Sequence, residues 1–358
     1  MPASGSPVRS LHTLAEILSQ PEIWRASQRE LSGNAAFQTA IANAPSRKEW
    51  LFTGCGTSFY LAEAAAASWT LLTGQRARAL PASELLLFPR LSQLDAEGLQ
   101  VIAISRSGRT SETVRAAELL SRKYNLPTLG VTCANDSDLA KACQLTIALP
   151  TADEKSMVMT RSFTSMLIAL LQIAASQAAT PSLSSSLESI ASALSSRIQS
   201  FNERVESFVA NHEFADYIYL AQGPFYPIAR EGALKMTEMS CSYAQPYHTL
   251  EFRHGPKSVV APQTCLTFFL SESGMEAESE VLVEMKELGG TIIAVCNRAP
   301  ESVRRSADLL FELEAHAAEL ALLAPFIVSA QLLGFHTGVK KGLNPDEPKN
   351  LSRVVILD

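Results

Sequence analysis

The chain has no surplus of positive charge. Its 30 Lys and Arg stand against 36 Asp and Glu, for a net charge of −6 over 358 residues. No basic block and no DNA-binding pattern appears, which argues against a nucleic-acid protein and leaves small molecules as the default partner. No C-x-x-C pair occurs among the six cysteines, Cys55, Cys133, Cys143, Cys241, Cys265 and Cys296, and most lie inside apolar runs. Buried thiols in a reducing compartment fit them better than disulfides or zinc. No three-ligand metal spacing appears either. The opening "MPASGSPVRSLHTLAEILSQPEIW" has no apolar signal core. The longest apolar helix candidate, around "SMLIALLQIAASQAA", is too short, and too polar at its end, to cross a bilayer. The expectation is a soluble, cytoplasmic protein without a membrane or nucleic-acid partner. With 47% apolar residues the chain is too hydrophobic for disorder. It is long enough for two ordinary domains.

Short apolar runs alternate with helix-length stretches. The first half offers "WLFTGCG" (50–56), "LQVIAISRSG" (99–108), "PTLGVTCA" (127–134) and "QLTIALP" (144–150). Strands apolar on both faces, alternating with helical patterns, imply a parallel sheet covered by helices on each side. The second half repeats the order with "YIYLAQG" (217–223), "LTFFLSESGMEAESEV" (266–281), "GTIIAVCN" (290–297) and "DLLFELE" (308–314). A Ser-x-Ser-Gly step falls at the same place in both copies. The pattern is a tandem duplicated α/β fold, each copy a doubly wound parallel sheet. The expected organisation is an N-terminal helical segment over 1–45, a first domain over 46–180, a linking helix over 181–205 and a second domain over 206–358. Leu183, Leu187, Ile190, Leu194 and Ile198 give the link its helical spacing.

The richest element is "ISRSGRTSET" (104–113), a strand end running through a turn into a helix. Ser105, Ser107, Thr110 and Ser111 place hydroxyls around the first helical turn, and Gly108 lets backbone approach a ligand. A helix N-terminus offers free N–H donors and partial positive charge, which suits an anion such as phosphate. The first strand ends similarly in "GCGTS" (54–58), adding Thr57 and Ser58. Simple N-capping is the plainer explanation for any one of these hydroxyls. Two such turns in one half favour ligand binding. Neither turn is a Walker loop or a dinucleotide fingerprint, because the G-K-[ST] and G-x-G-x-x-G patterns are absent. In the second copy, "LSESGMEAES" puts Glu272 where Arg106 stands, and acidic side chains repel phosphate. One anion site per chain, in the first half, is expected.

In "YPIAREGALKMTEMS", Glu231, Lys235 and Glu238 fall at i, i+4 and i+7, on one helical face. A surface ion-pair ladder is the common explanation of such spacing. The apolar neighbours Ala233, Leu234, Met236 and Met239 imply instead a packed helix with its charges turned into a cleft or an interface. A carboxylate held there can move protons near neutral pH. Downstream, "LEFRHGPKS" (250–258) sets His254 on a Gly-Pro bend between Arg253 and Lys257. Flanking cations disfavour imidazolium and would keep the ring basic. His248 is a candidate for a supporting role. His12 and His212 sit in polar surroundings, His316 and His336 within helical patterns.

Together "CGTS", "ISRSGRTSET", "EKSMVMTRSFT" (154–164), "YPIAREGALKMTEMS", "FRHGPKS" and "GLNPDEPKNLSRVVILD" resemble the sugar isomerase (SIS) family over nearly the whole chain. The resemblance is to the isomerase half of glucosamine-6-phosphate synthase and to stand-alone glucosamine- and galactosamine-6-phosphate deaminase/isomerases. It implies two flavodoxin-like domains and a homodimer with the active site at the subunit interface. It implies that Cys55, Gly56, Thr57, Ser58, Ser105, Arg106, Ser107 and Thr110 hold the phosphate of a hexose 6-phosphate. Glu238 would shuttle a proton between C1 and C2, His254 would open the ring, Lys235 would stabilise enediol charge and Glu231 would organise the helix. Two departures follow. Only about fifty residues precede the first strand and residue two is Pro2, so no glutaminase chemistry is expected of this chain. Where the synthase has a Schiff-base lysine, this chain has Arg353, which stays protonated and could only bind substrate oxygens. Met157 and Met159 stand where the family often has smaller residues.

The expected activity is aldose–ketose isomerisation with deamination of an amino-hexose 6-phosphate, without metal or organic cofactor. Two other enzyme readings remain open, a deglycase for fructosamine-type phosphates and an isomerase for a sugar lacking nitrogen. A sugar-phosphate sensor is the alternative of another class, though no helix-turn-helix segment fits before residue 50.

Overall fold

The structure, a computed structural model, describes residues 12–357 except 93, 95 and 96. Residues 1–11 of the expected N-terminal helical segment lie outside the described residues. Among the described residues, ten strands build two five-stranded sheets. The first comprises β1 (Glu49–Gly54), β2 (Arg76–Pro81), β3 (Leu99–Ile104), β4 (Thr128–Thr132) and β5 (Leu145–Ala148). The second comprises β6 (Asp216–Ala221), β7 (Ala244–His248), β8 (Thr264–Phe269), β9 (Thr291–Cys296) and β10 (Leu309–Glu312). The orders are β2-β1-β3-β4-β5 and β10-β9-β8-β6-β7, all pairs parallel, so both sheets share one topology. This is the flavodoxin-like winding, in which the chain reverses direction across the sheet between its first and third strands.

The eight apolar runs all became strands. β1, β3, β4 and β8 are buried along their whole length. The two additional strands, "RARALP" and "AQPYH", are sheet edges whose residues are mostly half-buried. Edge positions bury one side only and need no continuous apolar run, so nothing in their composition marked them. In β2, ionic contact helps replace the missing burial: Arg78 Nε lies 2.9 Å from Glu49 Oε1 on β1.

The described chain divides into two compact units that do not follow the sequence halves. The first-sheet unit gathers 20–153, 161–191 and 352–357; the second-sheet unit gathers 12–19, 154–160 and 192–351. Asp346 anchors residues 12–19 within their unit, accepting from Thr13 N–H at 2.7 Å. Glu16 in turn accepts the Lys155 N–H at 2.5 Å. The expected linking helix is two helices, Pro181–Ser195 and Ile198–Asn211, broken where Arg197 leaves helical backbone. Leu183, Leu187, Ile190 and Leu194 are buried as their spacing predicts.

The six cysteines are free, but Cys241 is exposed at the left-handed C-cap of its helix rather than buried. His316 lies in an irregular segment, not a helix. A helical stretch more apolar than the one expected spans Glu319–Lys340; its most apolar 18-residue window has mean hydropathy 1.6 and is buried within the protein, as core helices are, while Val339 and Lys340 are exposed.

His336, on that helix, is buried with Nε2 2.8 Å from Asn202 Oδ1. Burial lowers its pKa, and Glu206 opposes the shift only in part. The folded state therefore holds the ring neutral, while an unfolded histidine titrates near about 6.5. Stability from this group is fully present above that pH and is lost as the pH falls toward the lowered folded value. Thermal unfolding of the parent should weaken more between about pH 7 and pH 5 than that of His336→Gln. Equal pH slopes for the two proteins would remove the attribution.

Candidate active site

In the first-sheet unit, the loops after β1 and β3 lie side by side at the topological reversal, the usual ligand position in such sheets. Cys55 Sγ is 3.5 Å from Thr113 Oγ1, which joins the loop after β1 to the first turn of the helix that follows β3. Burial pushes the Cys55 thiol up, against the pull of the Thr113 hydrogen bond, so it stays protonated and is a wall of the site rather than a nucleophile. Gly56 caps the helix Thr57–Thr73, and Thr57 and Ser58 are buried in its first turn.

After β3, Ser105 Oγ accepts the Gly108 N–H at 3.2 Å and lies 3.1 Å from Thr110 Oγ1. Cys133 N–H and Thr132 Oγ1 both donate to the Arg106 carbonyl, at 2.9 and 3.0 Å, pinning the turn to β4. Gly108 has φ +61, and a Cβ there would stand 2.4 Å from the Ser137 side chain, so only glycine fits. Ser107 Oγ accepts the Arg109 N–H at 3.2 Å. Thr110 takes the N-cap position of the helix Ser111–Glu118 without capping it through its side chain.

Residues 352–357 run along this cradle. The buried Arg106 guanidinium donates to the Arg353 carbonyl at 3.3 Å, and the Ser111 N–H donates to the Val355 carbonyl at 3.2 Å. Both donors are of the kind that bind anions. The Arg353 guanidinium itself is engaged by Asp153, with both carboxylate oxygens at 2.9 Å. Asp153 had no signal in the sequence.

In the second-sheet unit, the helix Tyr226–Ser240 follows β6 and packs against the helix Leu323–Lys340. Two glycines allow the close approach: a Cβ at Gly338 would stand 2.2 Å from the Met239 carbonyl, and one at Gly334 2.9 Å from that of Lys235. This contact buries the Glu231 and Lys235 part of the ionic face completely. Glu231 and Lys235 have no exposed side-chain surface and lie 3.3 Å apart; Lys235 Nζ also donates to Glu238, whose side chain is 15% exposed. Burial alone would pull the Lys235 pKa down, but Glu231 and Glu238 outweigh it and raise it, so the ammonium stays charged. One cation is shared between two carboxylates, and only Glu238 reaches the surface. Lys235 itself has no exposed side-chain surface.

His254 lies on the loop between β7 and β8, its residue exposed and its N–H bonded to the Glu251 carbonyl at 2.9 Å. Its two flanking cations do not face it as free charges: Arg253 and Lys257 both bind Glu284. His248 stacks on Tyr226, ring centroids 3.7 Å apart, where the ionic helix begins. The second copy of the cradle is filled by its own carboxylates. Glu278 accepts the Ser271 N–H and hydroxyl and, at 3.3 Å, the Thr249 hydroxyl, while Glu319 accepts the Ser273 N–H at 2.9 Å.

A duplicated flavodoxin-like fold with one hydroxyl-rich anion cradle and one buried Glu–Lys–Glu helix defines a class, and the family comparison agrees. The SIS domain model matches residues 46–176 and 215–335, and the chain belongs to that family. Among curated proteins it is similar to the isomerizing glutamine–fructose-6-phosphate aminotransferase of Thermococcus kodakarensis, 27% identical over 359 residues, 96% of this chain and 58% of the relative. The Methanothermobacter thermautotrophicus enzyme of the same name is 26% identical, covering 86% of this chain and 51% of the relative. The chain thus spans about half the length of the curated relatives it matches. Among solved structures it is similar to glucosamine-6-phosphate deaminase of Thermotoga maritima, with TM-score 0.77 at 26% identity over 96% of this chain and 99% of that one. Tagatose-6-phosphate ketose/aldose isomerase of Escherichia coli shares the fold, with TM-score 0.85 at 23% identity over 99% and 98%.

Proposed function

We propose that this chain is a phosphosugar isomerase that deaminates an amino-hexose 6-phosphate to a ketose 6-phosphate and ammonia. The observation that carries the reading is the buried Glu231–Lys235–Glu238 array, with Glu238 alone reaching solvent. Isomerisation next to a carbonyl needs one placed base and compensation of the developing charge. Glu238 is that base, and Lys235 holds it in place.

The phosphate binds through Ser105, Ser107, Thr110, Thr57, Ser58 and the Arg106 guanidinium. His254 opens the ring by taking the anomeric hydroxyl proton and returning one to the ring oxygen. Glu238 removes the C2 proton while the C1 aldehyde oxygen takes a proton from solvent, so the C1–C2 bond becomes an enolamine whose nitrogen gives one proton back to solvent once C1 is protonated. The same proton returns at C1, leaving an imine at C2. Water adds to that imine, and ammonia leaves with the ketone formed. The exposure of His254 favours its delivery to a second copy of the chain, which makes a homodimer part of the proposal.

A panel of hexose 6-phosphates, with and without nitrogen at C2, tests the reading when ammonia and ketose are measured together. Equal amounts of both from an amino-hexose 6-phosphate are expected. Ketose only from nitrogen-free sugars would replace deamination with plain isomerisation, and no product from any sugar would end the enzyme reading.

A further inference from the structure

The two cations beside His254 have partners that this chemistry does not use. Arg253 Nε donates to Glu284 Oε2 and Lys257 Nζ to Glu284 Oε1, each at 2.7 Å. One carboxylate therefore takes both shoulders of the loop, one oxygen apiece. Arg253 precedes His254, and Lys257 follows the bend where Gly255 has φ +120, so the contact closes the loop across its tip. Arg253 also lies 3.9 Å from Glu280. All three glutamates holding this loop stand on the helix Met275–Glu287, since Glu278 binds Thr249 at its base. The hydrogen bond from Lys257, with Arg253 adding to it, holds the Glu284 carboxyl below the usual carboxylate range. The Glu284 carboxylate of the clamp is thus charged throughout the neutral range. The His254 residue is exposed, so the set of its loop, not packing around the ring, decides where the imidazole goes.

Resting on the isomerase reading, we propose that Glu284 is a positioning residue for His254, clamping Arg253 and Lys257 so that the imidazole is presented in one geometry. The first-sheet unit uses the matching helix to begin its anion cradle. The second-sheet unit, whose cradle holds its own carboxylates, uses it to grip the histidine loop.

The test is a double-mutant cycle on the intact chain with glucosamine 6-phosphate, comparing Glu284→Gln, His254→Ala and the combination. Misplacing a catalytic group by a fraction of its reach costs on the order of 10- to 100-fold. Glu284→Gln should lower kcat by about 10-fold and leave KM within about two-fold. The combined variant should be no slower than His254→Ala alone, because the clamp acts only through the histidine. Arg253→Gln with Lys257→Gln, which opens the clamp from the other side, should reproduce the kcat loss. A fully active Glu284→Gln beside an impaired His254→Ala would overturn the clamp and leave the isomerase reading standing. Losses that multiply in the combined variant would make Glu284 merely structural. A fully active His254→Ala would overturn the role of the histidine itself, and the clamp with it.

Discussion

Glu238→Gln should lower kcat by about 10² to 10⁴-fold, the range for loss of a general base, with sugar-phosphate binding retained. The substitution is nearly isosteric, and the amide oxygen can still accept from the Lys235 ammonium, so the buried array keeps its geometry. The anion cradle on the first-sheet unit is untouched. Steady-state kinetics with a direct binding measurement separates the two effects. Turnover near the parent level would show that another group carries the proton. Lost binding with lost turnover would make Glu238 a structural residue.

The second large effect is on stability. Lys235→Met should destabilise the folded chain by about 3–5 kcal/mol, the usual cost of leaving a buried charge uncompensated. Lys235 and Glu231 are both without exposed side-chain surface, so no water replaces the lost ammonium. Glu231→Gln added to Lys235→Met removes one of the stranded charges and should recover part of the loss. The midpoint of denaturant unfolding reads both. If the double variant is less stable than Lys235→Met alone, the array is not held by charge compensation.

The fold was largely legible because the interior strands carry continuous apolar runs and the Ser-x-Ser-Gly step marks the duplication. The strands that escaped, "RARALP" and "AQPYH", are half-buried edges, the first of them also held by ion pairs to Glu49. The hydroxyl turns and the Glu231–Lys235–Glu238 face were legible because each lies in one short segment, where helical spacing alone sets the neighbours. The contacts of Arg253 and Lys257 were not. Glu284 stands 31 and 27 residues away from them, and no periodicity links a loop to a helix across that separation. For the same reason Arg353 could be read only as a changed residue, whereas its carbonyl on Arg106 and its guanidinium on Asp153 needed coordinates.

The interleaving of the two units bears on how the chain comes to be folded. During synthesis, Ser111 appears long before Val355, and the whole second sheet is made between them. Closing so long a loop costs entropy that no local contact repays, and such closures form late and slowly. The first-sheet unit can therefore assemble its strands early but must wait for residues 352–357 before Arg106 and Ser111 find these partners. Until then a polypeptide with a finished first sheet leaves the Arg106 guanidinium and the Ser111 N–H without these two carbonyl partners.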